Sequence, residues 1–159
     1  NALFITLTDT GARLSEITGL VVQDVDLQER SITIRPNGVR TLKTKGSQRT
    51  LPLSERALEL LQEHRRGKGD TQPIFPDYAR PRGRDAASAM LMKRLRRSIA
   101  DKKLTMHSLR HRMKDKLRNT GCPEAISLAI LGHSTNTVAA NYGSGYALEV
   151  MREHMEKVW

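Results

Sequence analysis

Four short segments of the chain carry side chains suited to phosphate esters. They are Thr10-Gly11-Ala12-Arg13-Leu14-Ser15-Glu16, Leu42-Lys43-Thr44-Lys45, His107-Ser108-Leu109-Arg110-His111, and Leu131-Gly132-His133, followed nine residues later by Tyr142. Guanidinium groups are planar forks that match oxyanions, so Arg13 and Arg110 together can grip the nonbridging oxygens of one phosphate. Charge gathers on those oxygens in the transition state at phosphorus, and fixed positive donors lower that barrier. A tyrosine hydroxyl can attack phosphorus and form a covalent ester. A lysine can protonate the departing oxygen, and histidine can move or share a proton near neutral pH. Such a site needs no metal ion, since the arginines already supply the positive charge.

Taken singly, each segment has a plainer reading. Arg13 and Glu16 have the spacing of an ordinary helix ion pair. His107 and His111 lie one helical turn apart, which invites a metal, yet Ser108 stands where a zinc-protease helix needs glutamate. His111 is read as a structural neighbour and no metal or other cofactor is expected. Tyr78 sits in a Pro-rich stretch, and Tyr146 follows Gly143-Ser144-Gly145 as a local anchor. Neither lies nine residues after His133, as Tyr142 does.

Together and in order, TGARLSE, HSLRH and LGHSTNTVAANY resemble the Arg-I, His-x-x-Arg and His–Tyr boxes of the tyrosine recombinases, the phage and prophage integrase branch most of all. The resemblance covers nearly the whole chain. It implies an α+β, mainly α fold: the helical catalytic domain of tyrosine recombinases with a small three-stranded antiparallel sheet. It implies that residues 1–159 form that domain, with an N-terminal core-binding domain absent from this chain. By the same resemblance Arg13 and Arg110 grip the phosphate, and Glu16 buttresses the site with hydrogen bonds toward the second box. His107 accepts or relays the proton of Tyr142, His133 donates to a nonbridging oxygen, and Tyr142 is the nucleophile. The catalytic lysine belongs in a β-hairpin turn where Lys43 and Lys45 both fall; Lys43 is the first choice and Lys45 the alternative.

The implied reaction is site-specific cleavage and rejoining of double-stranded DNA through a 3′-phosphotyrosine, serving phage or prophage integration in the bacterial host cytoplasm. The implied assembly is a homotetramer of full-length protein on DNA, with accessory DNA-bending proteins as further partners and no membrane. The alternatives are a topoisomerase IB-like relaxing enzyme and a DNA-binding module without activity. A metal-dependent nuclease is disfavoured, because Asp24 and Asp26 form no carboxylate cluster near the basic boxes.

These residues need elements to hold them. NALFITLTDTG has apolar residues at helical spacing, with Gly11 as its stop, and ARLSEITGL suggests a second short helix. Ser31 to Ile34 alternates as a strand does, and Val39 to Lys43 and Gln48 to Leu51 are expected to complete a sheet around the Pro36-Asn37-Gly38 turn. Ser54 is a good N-cap for a helix buried through Ala57, Leu58, Leu60 and Leu61. Residues 67–83 read as a loop. Ala86 to Ile99 reads as a helix with a basic side at Lys93, Arg94, Arg96 and Arg97, suited to DNA phosphates or to solvent. Helices follow from Met106, with a break at Gly121-Cys122-Pro123 and a stop at Gly132. The last helix, Leu148 to Val158, packs on its own domain or on a neighbouring protomer.

Composition agrees with a polyanionic partner. The 159 residues carry 27 basic and 17 acidic side chains, a formal charge of +10. Residues 1–34 hold two basic and five acidic side chains, hence −3; residues 35–159 hold 25 and 12, hence +13. Cys122 is the only cysteine, so no internal disulfide can form. No apolar run in the sequence approaches the length of a membrane span.

Overall fold

The structure, a computed structural model, describes residues 1–42, 47–133 and 145–159. Lys43, Lys45 and Tyr142 lie outside the described residues. So does the final residue of the strand expected over Val39 to Lys43.

The chain opens with helix α1, Ala2–Thr10, whose first turn is capped by the Asn1 side chain. Gly11 ends it in the left-handed conformation at φ 63°. A Cβ there would stand 2.7 and 2.8 Å from Cγ and Cβ of Met113, so this turn also sets how closely α1 packs on the later helices. The short helix α2, Leu14–Thr18, follows at once, with Arg13 as its N-cap.

Strands β1, Val25–Asp26, β2, Ser31–Ile34, and β3, Arg49–Pro52, form an antiparallel sheet in the order β1-β2-β3. Ile32 pairs with Leu51, both with no exposed surface, while Thr33 and Thr50 share a hydroxyl contact at 3.1 Å. The number and direction of strands agree with expectation; one member does not. Residues 39–42 form no strand, and the third strand is Val25–Asp26 upstream. The reason lies in Asn37 and Arg40. The Asn37 carboxamide oxygen accepts from the backbone N–H groups of Val39 and Arg40 at 2.9 and 2.7 Å, which curls the chain. The Arg40 side chain then turns inward on to Asp24, so its backbone is not free to join a ladder.

Helix α3, Glu55–Arg65, starts at Ser54 as expected, and its Ala57 and Leu61 are fully buried. The stretch after it contains a 3-10 turn at Pro76–Tyr78. Helix α4, Gly83–Leu95, begins earlier and ends earlier than its sequence pattern suggests. Lys93 and Arg94 lie exposed on its last turn, whereas Arg96 folds over the following loop and donates to the carbonyls of Asp101, Lys102 and Leu104. Helix α5, Met106–Asn119, and helix α6, Glu124–Leu131, are separated at Gly121 to Pro123. Helix α7, Leu148–Glu156, is the last element.

One apolar core joins these elements. Helix α1 packs on α3 and α5, α2 on α4, α5 on α6, and both α6 and α7 on β3. Helix α7 docks on its own chain through Met151 and Met155, and Val158 just after it is buried as well. The indole N–H of Trp159 donates to the Asp9 carbonyl at 2.8 Å, and Lys116 donates to the carbonyl of Val158. Asp9 is itself buried, its carboxylate taken by Ser54 and Arg56. The chain end, α1 and the start of α3 are thus tied at one point. Among the described residues, no helix is long and apolar enough to cross a membrane.

Candidate active site

Arg110 occupies a position where helix geometry calls for an apolar side chain. Met106, Arg110, Met113 and Leu117 recur at spacings of four, three and four along α5, and all are buried. A buried guanidinium must find acceptors. Arg110, 4% exposed, donates to the Gly11 carbonyl at 2.9 Å and to the Leu131 carbonyl. Both carbonyls are made available by helix ends: Gly11 terminates α1, and Leu131 is the last residue of α6. Burial, with Arg13 and Arg49 nearby, pushes the Arg110 pKa down to about 10, so it stays protonated at neutral pH.

Arg13 reaches the same place from the other side. As N-cap of α2 it has extended backbone, and its guanidinium donates to Glu16 Oε1 at 2.8 Å and, more weakly, to the Gly132 carbonyl at 3.4 Å. Leu131 and Gly132 are consecutive, so adjacent carbonyls hold Arg110 and Arg13 side by side. The Arg13 side chain is 30% exposed. Together with Arg110, His107, Ser15, Ser88 and Arg84 it lines an open cleft of about 350 Å³.

Glu16 is 3% exposed, and among the described residues its carboxylate accepts four hydrogen bonds. Oε2 takes the backbone N–H of Arg13 at 2.8 Å, half of a capping box, and Arg49 Nη2 at 2.9 Å. Oε1 takes the Arg13 guanidinium at 2.8 Å and Arg49 Nη1 at 3.2 Å. Burial by itself raises the Glu16 pKa, but the bonds and charge of Arg49 and the bonds from Arg13 outweigh it and hold the carboxyl below its ordinary value. Hydrogen bonds from Glu16 to the second box were expected. The described partners of its carboxylate are instead Arg13 and Arg49, and it meets Arg110 only through charge.

Arg49 went unassigned in the sequence. Its Nε donates to the Ile130 carbonyl at 2.8 Å and its Nη1 to Ser47 at 2.8 Å, in addition to Glu16. Its guanidinium lies against Gly132, where a Cβ would stand 2.4 Å from Nη1. The only trace of this role in the sequence is the pair of features it joins: a glycine before His133, and an arginine opening a strand.

His107 and Arg110 sit three apart on one face of α5, and Ser108 between them caps the helix by accepting from the Thr105 N–H at 3.0 Å. The exposed rings of His107 and His111 meet edge to face at a centroid distance of 4.8 Å. Desolvation, then His111, Arg110 and Arg13, lower the His107 pKa below its ordinary value. His133 follows α6 in a Schellman-type end, its N–H bonded to the Leu128 carbonyl at 3.0 Å. Desolvation and the charges of Arg110, Arg13, Lys114 and Arg49 lower its pKa as well. Both shifts favour the neutral imidazole, the form that can accept a proton or donate a single N–H. Tyr146 is 44% exposed at the approach to α7, and Tyr78 lines a separate cavity with Phe75 and His64.

The arrangement brings Arg13, Glu16, Arg110, His107 and His133 to one end of the α1, α5 and α6 packing, with net positive charge. It can hold a phosphate diester and stabilise charge on its oxygens.

Comparisons with known proteins agree with this arrangement. The model of the phage integrase family matches residues 1–147. A tyrosine recombinase XerD of Corynebacterium glutamicum is 28% identical over 165 residues, covering 99% of this chain and 50% of that protein. A tyrosine recombinase XerD of Mycobacterium tuberculosis is 30% identical over 146 residues, covering 86% of this chain and 44% of that one. The chain thus spans about half the length of the curated relatives it matches. Among solved structures, XerA recombinase superposes with a TM-score of 0.67 at 21% identity, over 99% of this chain and 56% of the other. The Tn1549 transposon integrase bound to a circular intermediate DNA gives 0.65 at 24% identity, over 99% and 58%. The chain belongs to the phage integrase family, the family of the tyrosine recombinases.

Proposed function

We propose that residues 1–159 are the catalytic domain of a site-specific DNA recombinase that cleaves and rejoins strands through a 3′-phosphotyrosine, and that it works in a longer protein with a core-binding domain. The observation that carries this reading is the seating of Arg110 and Arg13 on the consecutive carbonyls of Leu131 and Gly132, directly before His133. Two guanidiniums held side by side at a cleft match the two nonbridging oxygens of a diester.

In the proposed reaction the Tyr142 oxygen attacks phosphorus and its proton passes to His107. His133 donates to a nonbridging oxygen, and Arg13 and Arg110 hold the charge. The bond from phosphorus to the 5′ oxygen breaks, and Lys43, or Lys45 in its place, protonates that oxygen. A 5′-hydroxyl from another strand then attacks the phosphotyrosine and restores Tyr142. The covalent ester keeps the bond energy, so ATP is not required, and the arginines replace a metal as the source of positive charge. Cleavage in EDTA tests the latter.

The working form we propose is a tetramer of the full-length protein on duplex DNA, with DNA-bending proteins as accessories. The box sequences favour integration of a phage or prophage genome. The relatives reported above bear Xer and transposon-integrase names. Exchange assayed on paired sites against relaxation of a supercoiled circle separates recombination from a topoisomerase.

The test of the chemistry is covalent trapping. The chain is incubated with nicked duplexes of randomised sequence, whose short cleaved strand diffuses away. Adducts stable to denaturation are recovered, the DNA sequenced and the modified residue mapped. Tyr142 is the expected site. Tyr142→Phe should yield no adduct while still binding DNA; an adduct formed by that variant refutes the assignment.

A further inference from the structure

Helix α5 carries a second row of side chains beside the one that holds Arg110. Its buried residues are Met106, Arg110, Met113 and Leu117. The residues that follow them are His107, His111, Lys114 and Arg118 in turn. Steps of four, three and four put these four side chains on one flank of the helix, next to the core row. Every member is an imidazole or a cation. The row is about 16 Å long. It begins at the cleft, which His107 lines together with Arg13 and Arg110.

Two members are already accounted for. His107 has a part in the proposed reaction, and Arg118 is answered by Asp115 at 3.6 Å. Among the described residues, neither His111 nor Lys114 meets a carboxylate. The exposed His111 ring stands edge to face on His107 at a centroid distance of 4.8 Å, so it continues the wall of the cleft. Lys114 is half-buried and lies one turn on from Arg110, whose guanidinium reaches the Leu131 carbonyl two residues before His133. Burial lowers the His133 pKa, and the charges of Arg110, Arg13, Lys114 and Arg49 lower it further. Every charge in that set is positive.

A lysine in the last turn of a helix complements the helix dipole, as Lys116 and Arg118 do here. Lys114 lies before that turn. It stands half out of water, at an end of the packing that already holds three guanidiniums. The Glu16 carboxylate there is engaged by Arg13 and Arg49. Like charges held together partly out of water cost free energy unless an anion joins them. One diester brings a single charge, and in the proposed reaction its nonbridging oxygens are taken by Arg13 and Arg110. A DNA strand supplies the next anion one nucleotide away.

We propose that His111 and Lys114 bind a phosphate neighbouring the scissile one, and so extend the grip of Arg13 and Arg110 along the cleaved strand. Lys114 supplies charge, and the His111 ring an N–H. This inference rests on the reading of the cleft as the seat of the scissile diester.

The duplex recovered by trapping is made intact, with a single uncharged methylphosphonate at each of the two phosphates on either side of the scissile one in turn. Binding is measured over a range of salt in the Tyr142→Phe chain, so that it is read without cleavage. Lys114→Gln should weaken binding to the unmodified duplex about tenfold, and lower the slope of log affinity against log salt by about 0.9, the value of one phosphate contact. His111→Ala should weaken it about threefold. Both penalties should be largely lost on the same one of the methylphosphonate duplexes. Lys114→Arg should bind as its parent does. Arg112→Gln removes a charge from the other exposed flank of α5, and its effect should be smaller and equal on every duplex. A Lys114→Gln penalty that is equal on every duplex, as a role confined to His133 would give, overturns the proposal. So does a penalty no larger than that of Arg112→Gln. Thermal unfolding checks each variant; should Lys114→Gln not fold, His111→Ala, at an exposed position, reads the same contact. If trapping yields no duplex, the proposed function fails and the inference falls with it; if an adduct forms and no neighbouring phosphate matters, only the inference fails.

Discussion

Replacing Gly11 by alanine tests whether the seat of Arg110 is built by close packing at the end of α1. Two costs arise, and the structure separates them. The first is the left-handed backbone at φ 63°, which alanine adopts at a cost of about 1 kcal/mol. The second is the added Cβ, which would lie 2.7 and 2.8 Å from Cγ and Cβ of Met113 and 3.1 Å from Leu131 Cδ2. A side-chain tip could swing away; a Cβ moves only with its backbone. Overpacking of this kind costs about 1–3 kcal/mol, so the whole substitution should cost about 2–4 kcal/mol. For a chain of this size that lowers the unfolding midpoint by roughly 4–16 °C. Gly121→Ala supplies the control, because Gly121 has φ 75° and nothing within 4 Å of an added Cβ. It should show only the backbone cost, about 1 kcal/mol. Urea unfolding of both variants and the parent gives the difference directly. Since the Gly11 carbonyl accepts from Arg110 at 2.9 Å, Gly11→Ala should also slow cleavage in the trapping assay, and Gly121→Ala should not. Equal stability losses in the two variants would refute the packing argument.

Further expectations follow from buried charge and from the core. Glu16 has a folded-state pKa below its ordinary value of 4.5, so its contribution to stability is complete above pH 4.5 and disappears as pH falls through the folded value. Glu16→Gln should therefore flatten stability against pH in that acid range, and an unchanged slope in urea unfolding from pH 3 to 7 would contradict the pairing. His107 and His133 have folded pKa values below the ordinary 6.5, so their neutral forms favour the fold above pH 6.5 and that stability is lost as pH falls toward the folded values. NMR titration should find both midpoints below 6.5; midpoints above that value would contradict the electrostatics. Met155 has no exposed surface, and Met155→Ala should destabilise the chain by about 2–5 kcal/mol while freeing α7; a loss under about 1 kcal/mol would show that α7 does not dock on its own core. Duplex DNA binding by a chain of charge +10 should weaken by about 10³-fold between about 50 and about 200 mM salt, as release of several counterions requires. A change below about tenfold in a filter-binding assay would argue against phosphate contacts as the main source of affinity.

Much of the site was legible because its parts are local. Arg13 and Glu16 are three apart, so one short helix presents both. His107 and Arg110 share a helix face for the same reason. Gly11 and Gly132 end helices where their residue type says they should. Ser54 capped α3 as expected. The misread strand shows where pattern reading stops. Val39 to Leu42 alternates well enough, but Arg40 points inward because Asp24 and the Glu16 carbonyl are there to receive it. Nothing within a window of ten residues announces those acceptors. The helix expected to reach Ile99 ends at Leu95, because Arg96 finds carbonyls in the loop that follows.

Periodicity, helix stops and the ordered boxes were thus determined by the sequence alone, since each depends on spacings of a few residues. The role of Arg49 was decided only by the tertiary structure. Its partners are Glu16, 33 residues earlier, and Ile130, 81 residues later. Likewise Arg110 meets Gly11 across 99 residues. A buried guanidinium takes whatever carbonyls the packed helix ends leave unpaired, and which ends meet is a property of the whole core.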